Sequence, residues 1–211
     1  MLAMKTIRSI VLLTLLAVAV LPAAACAVIW VQAGAVVSQA ERTGVLSALT
    51  TETTMTAAER AIAVAEFEGT WNVRTVPCRP IDSIWTAATQ PSARESSLPV
   101  STALSTAILR EPEPVLVWQI KRVFAACQLE RRYSDTQMLR AWLLNAYFGA
   151  HTFGIESAAH ALFGKGAADL DVSESAKLAA LLRAPHLRDD PELWLERAQL
   201  IRKRVAASPM R

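Results

Sequence analysis

The sequence predicts an all-α protein, a helical domain behind one N-terminal membrane-spanning helix. Three observations carry this. Residues 10–31, IVLLTLLAVAVLPAAACAVIWV, contain no charge, and an apolar helix needs about 20 residues to cross a bilayer. After Pro114, apolar residues recur at three-four spacing, the period of one helix face. Helix-start signals then punctuate the C-terminal half at Ser134, Asp171 and Asp190, whereas no stretch shows the period-two alternation of a half-buried strand.

Taken in order, residues 1–9 form a short tail with Lys5 and Arg8, and residues 10–33 the span. Positive charge ahead of a span keeps that end in the cytoplasm and sends the rest across. Trp30 fits the outer interface, where aromatic rings collect. A cleaved signal peptide is the alternative, with LPAAAC as its small-residue exit. Against it, the apolar run continues past Cys26 through AVIWV. Residues 34–56 are largely polar and Thr-rich towards their end and read as a juxtamembrane connector, leaving residues 57–206 as the domain.

Within the domain, AAERAIAVAEFE predicts a helix over residues 57–68. From Gly69 to Pro114 prolines cluster and no period holds, which is long for a structureless loop in a compact domain. Beyond it, Leu116, Ile120, Val123, Phe124 and Cys127 form one apolar stripe. Ser134 with Gln137 is a capping box, in which each side chain satisfies an orphaned helix-end N–H; the helix it opens is expected to reach about Tyr147. Phe148 to Lys165 concentrates Gly149, Gly154 and Gly164 among alanines, predicting a tight turn and a closely packed short helix. Asp171 with Glu174 is a second capping box, and Asp190-Pro191 opens a last helix with Pro in its first turn.

The net charge of +3 is mild. Arg197, Arg202, Lys203 and Arg204 read as a solvated helix face or a contact for anionic lipid, and nucleic acid is not an expected partner. His151, His160 and His186 lack metal-ligand spacing, so no metal site is assigned. Cys78 and Cys127 are either a disulfide pair in an oxidising compartment or two free thiols.

Residues 129–185 resemble the C-terminal half of the family-51 glycosyltransferases, the peptidoglycan polymerase domain of class A penicillin-binding proteins and monofunctional transglycosylases. The match runs without a gap through Leu129-Glu130, Tyr133-Ser134, Tyr147-Phe148-Gly149, Gly154-Ile155-Glu156, Phe163-Gly164-Lys165, Glu174, Ala176 and Ala184-Pro185. The resemblance implies a lysozyme-like helical lobe on the outer face of a bacterial cytoplasmic membrane. It also implies lipid II and the glycan strand as ligands, with cell-wall synthesis proteins as partners. In that family a glutamate takes the acceptor hydroxyl proton. Cationic side chains, often with Mg²⁺ or Mn²⁺, neutralise the departing diphosphate.

The charged motifs depart from the family pattern. The first supplies Glu66 as candidate base, followed by Phe67 where Asp is expected; Glu68 is the alternative, and an ordinary carboxylate on an exposed helix end is the plain reading. The second is replaced by SSLPVSTALSTA, with Thr106 at the lysine position. The third, Arg-Lys-x-x-Glu, reads Trp118, Gln119 and Arg122, with Lys121 between. In the fourth, Gln137 replaces glutamate and Leu144 replaces asparagine. By resemblance the substrate-binding candidates are Lys121, Arg122, Gln137 and Lys165. Two readings follow: a divergent polymerase with Mg²⁺ or Mn²⁺ as its ion, or a non-catalytic scaffold holding lipid II or glycan. A hydrolase would need Glu66 or Glu68 as its acid. With Arg211 last in the chain, no transpeptidase module is expected to follow.

Overall fold

The computed structural model describes residues 2–44, 46, 54–67, 99–109, 114–182 and 184–208, with side chains from Val20 onward. Eight α-helices lie among these residues: α1 (Leu2–Arg42), α2 (Ala57–Phe67), α3 (Val100–Ile108), α4 (Val115–Arg132), α5 (Asp135–Leu143), α6 (Ile155–Phe163), α7 (Val172–Leu181) and α8 (Pro191–Ala207). Short 3₁₀ turns at Ala167–Asp169 and Pro185–Asp189 link α6 to α7 and α7 to α8. No strand occurs among the described residues, only one antiparallel bridge between Tyr147 and Phe153. The all-α expectation therefore holds.

The long helix α1 does more than the sequence suggests. It continues through Arg42, past the expected end of the span at residue 33, so the connector expected over residues 34–56 begins as helix. Its segment Val20–Arg42 is long and apolar enough to cross a membrane. Yet Ala33 and Val37 within that segment are fully buried, because this part of α1 packs along α4. The Trp30 and Phe124 rings meet edge to face at 5.4 Å. The Gln128 amide donates to the Trp30 carbonyl at 2.9 Å, and a Cβ on Gly34 would lie 2.8 Å from Gln128 Oε1. Glycine is what lets the amide approach the helix backbone. Higher up, Arg132 pairs with Glu41 at 3.0 Å and the Tyr133 hydroxyl donates to the same carboxylate. Burial, then that neighbouring carboxylate, pushes the Tyr133 phenol up to about 12.

The remaining helices join this part of α1 in the main core. α3 lies between α4 and α5, α2 packs on α7 and α8, and α7 packs on α8. Phe148, Ile62, Leu104, Leu129, Met138, Leu139, Leu143 and Leu178 are its largest fully buried side chains. The capping boxes expected at Ser134–Gln137 and Asp171–Glu174 are both formed, and Asp190 accepts from the Leu193 N–H at 3.2 Å. Two expectations need correction. Helix α5 ends at Leu143 rather than near Tyr147, because Tyr147 turns back to pair with Phe153. Leu116, expected in the α4 core stripe, is 72% exposed; the stripe is buried only from its middle, at Phe124 and Cys127.

Candidate functional site

Helix α2 carries the candidate base, and a buried ion pair fixes α2 in place. Thr56 and Glu59 form a reciprocal cap at its start, Thr56 N–H donating to Glu59 Oε2 at 2.8 Å and Glu59 N–H to the Thr56 hydroxyl at 3.1 Å. Across the interface, Arg140 of α5 grips the same carboxylate with Nε to Oε1 at 2.7 Å and Nη2 to Oε2 at 3.2 Å. Arg140 Nη2 also donates to the Thr54 carbonyl at 3.2 Å. Both side chains are only 11% exposed, so one two-pronged contact joins the cap, α2 and α5. Further along α2, Phe67 meets Trp142 edge to face at 5.4 Å.

Glu66 lies in the last turn of α2 and is 6% exposed. The reading of an exposed helix-end carboxylate therefore does not hold; Phe67, where the family has Asp, is buried beside it. Glu68, the alternative base, and Cys78 fall outside the described residues. The stretch replacing the second motif folds as α3. There Thr106 is exposed and returns its hydroxyl to the Thr102 carbonyl at 2.8 Å, and Ser101 donates to Glu130 Oε1 at 2.5 Å. The glutamate of the family's Leu-Glu pair thus holds the start of α3.

The third motif shows the largest change. At its three positions, Arg122 donates through Nη2 to Gln119 Oε1 at 2.7 Å, and its guanidinium sits 5.1 Å above the Trp118 ring. These residues lie three and four apart, the spacing at which helix side chains meet. The Arg-Lys-Glu set has become a local contact in which a guanidinium rests on an aromatic face. Lys121 is 5% exposed, on the buried side of α4. Gln137 accepts the Ser134 N–H on its amide oxygen at 2.8 Å, and its own backbone N–H donates to the Ser134 hydroxyl at 3.2 Å; this completes the cap. The structure thus unites Trp118, Gln119 and Arg122, while Gln137 and Lys165 belong to other contacts.

The glycine-rich turn builds the following lobe. Gly154 has φ +85°, and a Cβ there would lie 2.9 Å from the Leu144 carbonyl oxygen. A side chain would face both a disfavoured backbone region and a rigid carbonyl. Gly154→Ala is expected to cost at least about 1 kcal/mol, read as a lower unfolding temperature of the full chain. After α6, Glu156 Oε2 accepts the Ala167 N–H at 3.0 Å.

Lys165 Nζ then bridges both Glu174 oxygens at 2.8 and 3.0 Å. The Lys165 ammonium, then the Asp171 N–H, hold the Glu174 carboxyl below its ordinary 4.5. The Glu174 N–H, then the Ser173 N–H, lower Asp171 from 3.8. Glu174 raises Lys165 above 10.5. Lowered carboxylates stabilise the folded state above their ordinary values and lose that contribution as pH falls through the folded values; a raised lysine loses its contribution as pH rises past 10.5. Protection of the Ser173 and Glu174 amides, measured relative to their intrinsic exchange rates, is therefore expected to fall below pH 4.5, and Glu174→Gln to blunt that acid response.

Residues 98–206 match the family model described as Transglycosylase. Among curated proteins, the chain is 34% identical over 146 residues to penicillin-binding protein 1C of Escherichia coli, covering 68% of this chain and 19% of that protein. It is 36% identical over 91 residues to penicillin-binding protein 1F of Bacillus subtilis, covering 43% and 13%. It is 39% identical over 67 residues to penicillin-binding protein 2a of Streptococcus pneumoniae, covering 32% and 9%. The matched stretches thus span a fifth or less of these relatives. With its capped helices, glycine turn and Leu-Glu pair in the family's order, and more than half its length inside the family model, the chain belongs to the Transglycosylase family.

Proposed function

We propose that this protein is a membrane-anchored transglycosylase lobe that holds lipid II or a glycan strand without polymerising it. The observation that carries the reading is the third motif, where Trp118, Gln119 and Arg122 close on one another. A polymerase needs cationic donors aimed at the departing diphosphate, and losing one such donor typically costs about 10²–10³ in rate. Losses of this kind do not add simply, yet here the lysine of the second motif is also gone, as Thr106. A divalent ion does not fit the residues at the fourth motif: Gln137 is uncharged, and its amide oxygen caps α5. No step is therefore assigned to a metal. Glu66 stays the one candidate base on α2, with no charge relay assigned to it.

Anchoring by α1 is supported by its apolar length, and the outward orientation of the domain by Lys5 and Arg8 ahead of the span. Cys127 is buried and disulfide-bonded, which fits an oxidising compartment outside the cytoplasm. On this reading the transglycosylase-like domain is residues 57–206, with the outer part of α1 packed into its core, presented to the cell-wall synthesis proteins that share its ligand. The test is equilibrium binding of fluorescent lipid II to the full chain in detergent micelles. Saturable binding that persists in EDTA is expected. Absence of saturable binding would overturn the holding role, and loss of binding in EDTA would overturn the metal-free site.

A further inference from the structure

Between α5 and α6 the chain folds as a miniature hairpin. The Thr152 N–H donates to the Gly149 carbonyl at 2.8 Å, the Phe148 N–H to the Thr152 carbonyl at 3.0 Å and the Gly154 N–H to the Ala146 carbonyl at 2.9 Å. Its two corner residues, Ala150 and His151, have φ of +47° and +59°. Positive φ at both corners marks the tight hairpin turn that Asn-Gly fills without strain. Alanine and histidine fill it here under backbone strain, which clusters at functional sites. An imidazole kept where glycine would be unstrained points to a use for that side chain beyond the turn.

The hairpin sets two aromatic rings side by side. Tyr147 and Phe153 lie opposite each other across its bridge, so their side chains share one face, while the next residue, Phe148, turns inward and is buried. The two ring centroids are 5.0 Å apart, with the ring planes at 41°. Each of the other ring pairs described above buries one member, Phe124 or Phe67. This pair buries neither: Tyr147 is 42% exposed and Phe153 59%. Leu144, at the family's asparagine position, is also exposed at the foot of the hairpin, where its carbonyl lies against Gly154. Asn145 and His151 are exposed polar groups of the same segment, and residues 141–155 contain no Asp, Glu, Lys or Arg.

We infer that this hairpin is a sugar-stacking platform: Tyr147 and Phe153 take an uncharged N-acetylated glycan against their rings, with Asn145 and His151 as hydrogen-bonding groups beside it. The chemistry selects that occupant. An aromatic face carries partial negative charge, which suits the C–H face of a β-linked sugar ring. Amide and imidazole groups serve its hydroxyl and acetamido groups. A charged peptide or a diphosphate would find no fixed counter-charge among residues 141–155, and an acyl chain would leave Asn145 and His151 dehydrated without partners. The inference rests on the glycan-holding role proposed above. It adds a contact that needs neither the lipid tail nor the diphosphate, so a glycan strand lacking both is still held.

The test is calorimetric titration of the full chain, in a sugar-free detergent, with tetra-N-acetylchitotetraose, an uncharged probe without lipid, peptide or diphosphate. Lipid II binding is measured in parallel. Saturable binding of the tetrasaccharide is expected, weakened about 5–10-fold in Phe153→Ala and in His151→Gly and kept in Phe153→Tyr. The His151→Gly chain is expected to unfold at a higher temperature than the wild type, which separates loss of contact from loss of fold. Lipid II binding without tetrasaccharide binding overturns the platform and leaves the holding role standing. Tetrasaccharide binding that is equal in the wild type, Phe153→Ala and His151→Gly also overturns it, placing the sugar elsewhere on the protein. Failure to bind either ligand removes the holding role and the platform together.

Discussion

Glu59→Ala is expected to lower the stability of the full chain by about 3–5 kcal/mol, the usual cost of stripping one partner from a buried ion pair. The reason is geometric. Glu59 accepts both prongs of Arg140 and the Thr56 N–H, so its loss removes the counter-charge of a guanidinium that is 11% exposed and uncaps α2. Against a typical total of about 5–15 kcal/mol, that is a large share. For a chain of this size it corresponds to a fall of roughly 10 °C in unfolding temperature. Replacing both partners with apolar residues of similar volume, as in Glu59→Leu with Arg140→Met, is expected to recover most of the loss. Removing the exposed Arg132–Glu41 bridge should change little, since surface pairs contribute little. A Glu59→Ala protein that unfolds at the wild-type temperature would show that α2 is held by its apolar face alone.

Reduction of the disulfide at Cys127 is the second large effect, with an expected loss of about 2–5 kcal/mol. Cys127 is fully buried in the middle of α4, between the Gln128 contact to α1 and the core face of Phe124. Cys26 is free and exposed, and the chain has three cysteines. Denatured, unreduced protein purified from membranes is therefore expected to take one maleimide per chain, and three after reduction. Three tags before reduction would place the domain in a reducing compartment and contradict the proposed outward orientation.

Much of this architecture was legible locally. The capping boxes at Ser134–Gln137 and Asp171–Glu174 depend on residues three apart, and both formed. The box at Thr56–Glu59 has the same signature but was hidden in a Thr-rich stretch that reads as connector. What failed was non-local. The bridge from Tyr147 to Phe153 shortens α5, and nothing in the helical period up to Tyr147 announces a partner beyond a glycine turn. Leu116 fits the α4 stripe by spacing, yet periodicity cannot say where the protein ends and its surroundings begin. Glu59 and Arg140 lie 81 residues apart, so their pairing left no trace in either local pattern. At the site, the loss of charged motif residues was readable directly. That Arg122 would fold onto Trp118 and Gln119 follows from helix spacing only once that stretch is known to be helix.

The central claim is that the helical lobe is kept while the charge-handling apparatus for expelling a diphosphate is not. It is tested most directly by incubating the full chain in detergent with labelled lipid II and Mg²⁺ or Mn²⁺, and resolving the products on a gel. The account predicts that lipid II stays monomeric under conditions where it is bound. Glycan polymer that forms with the wild-type chain and disappears in Glu66→Gln would contradict it.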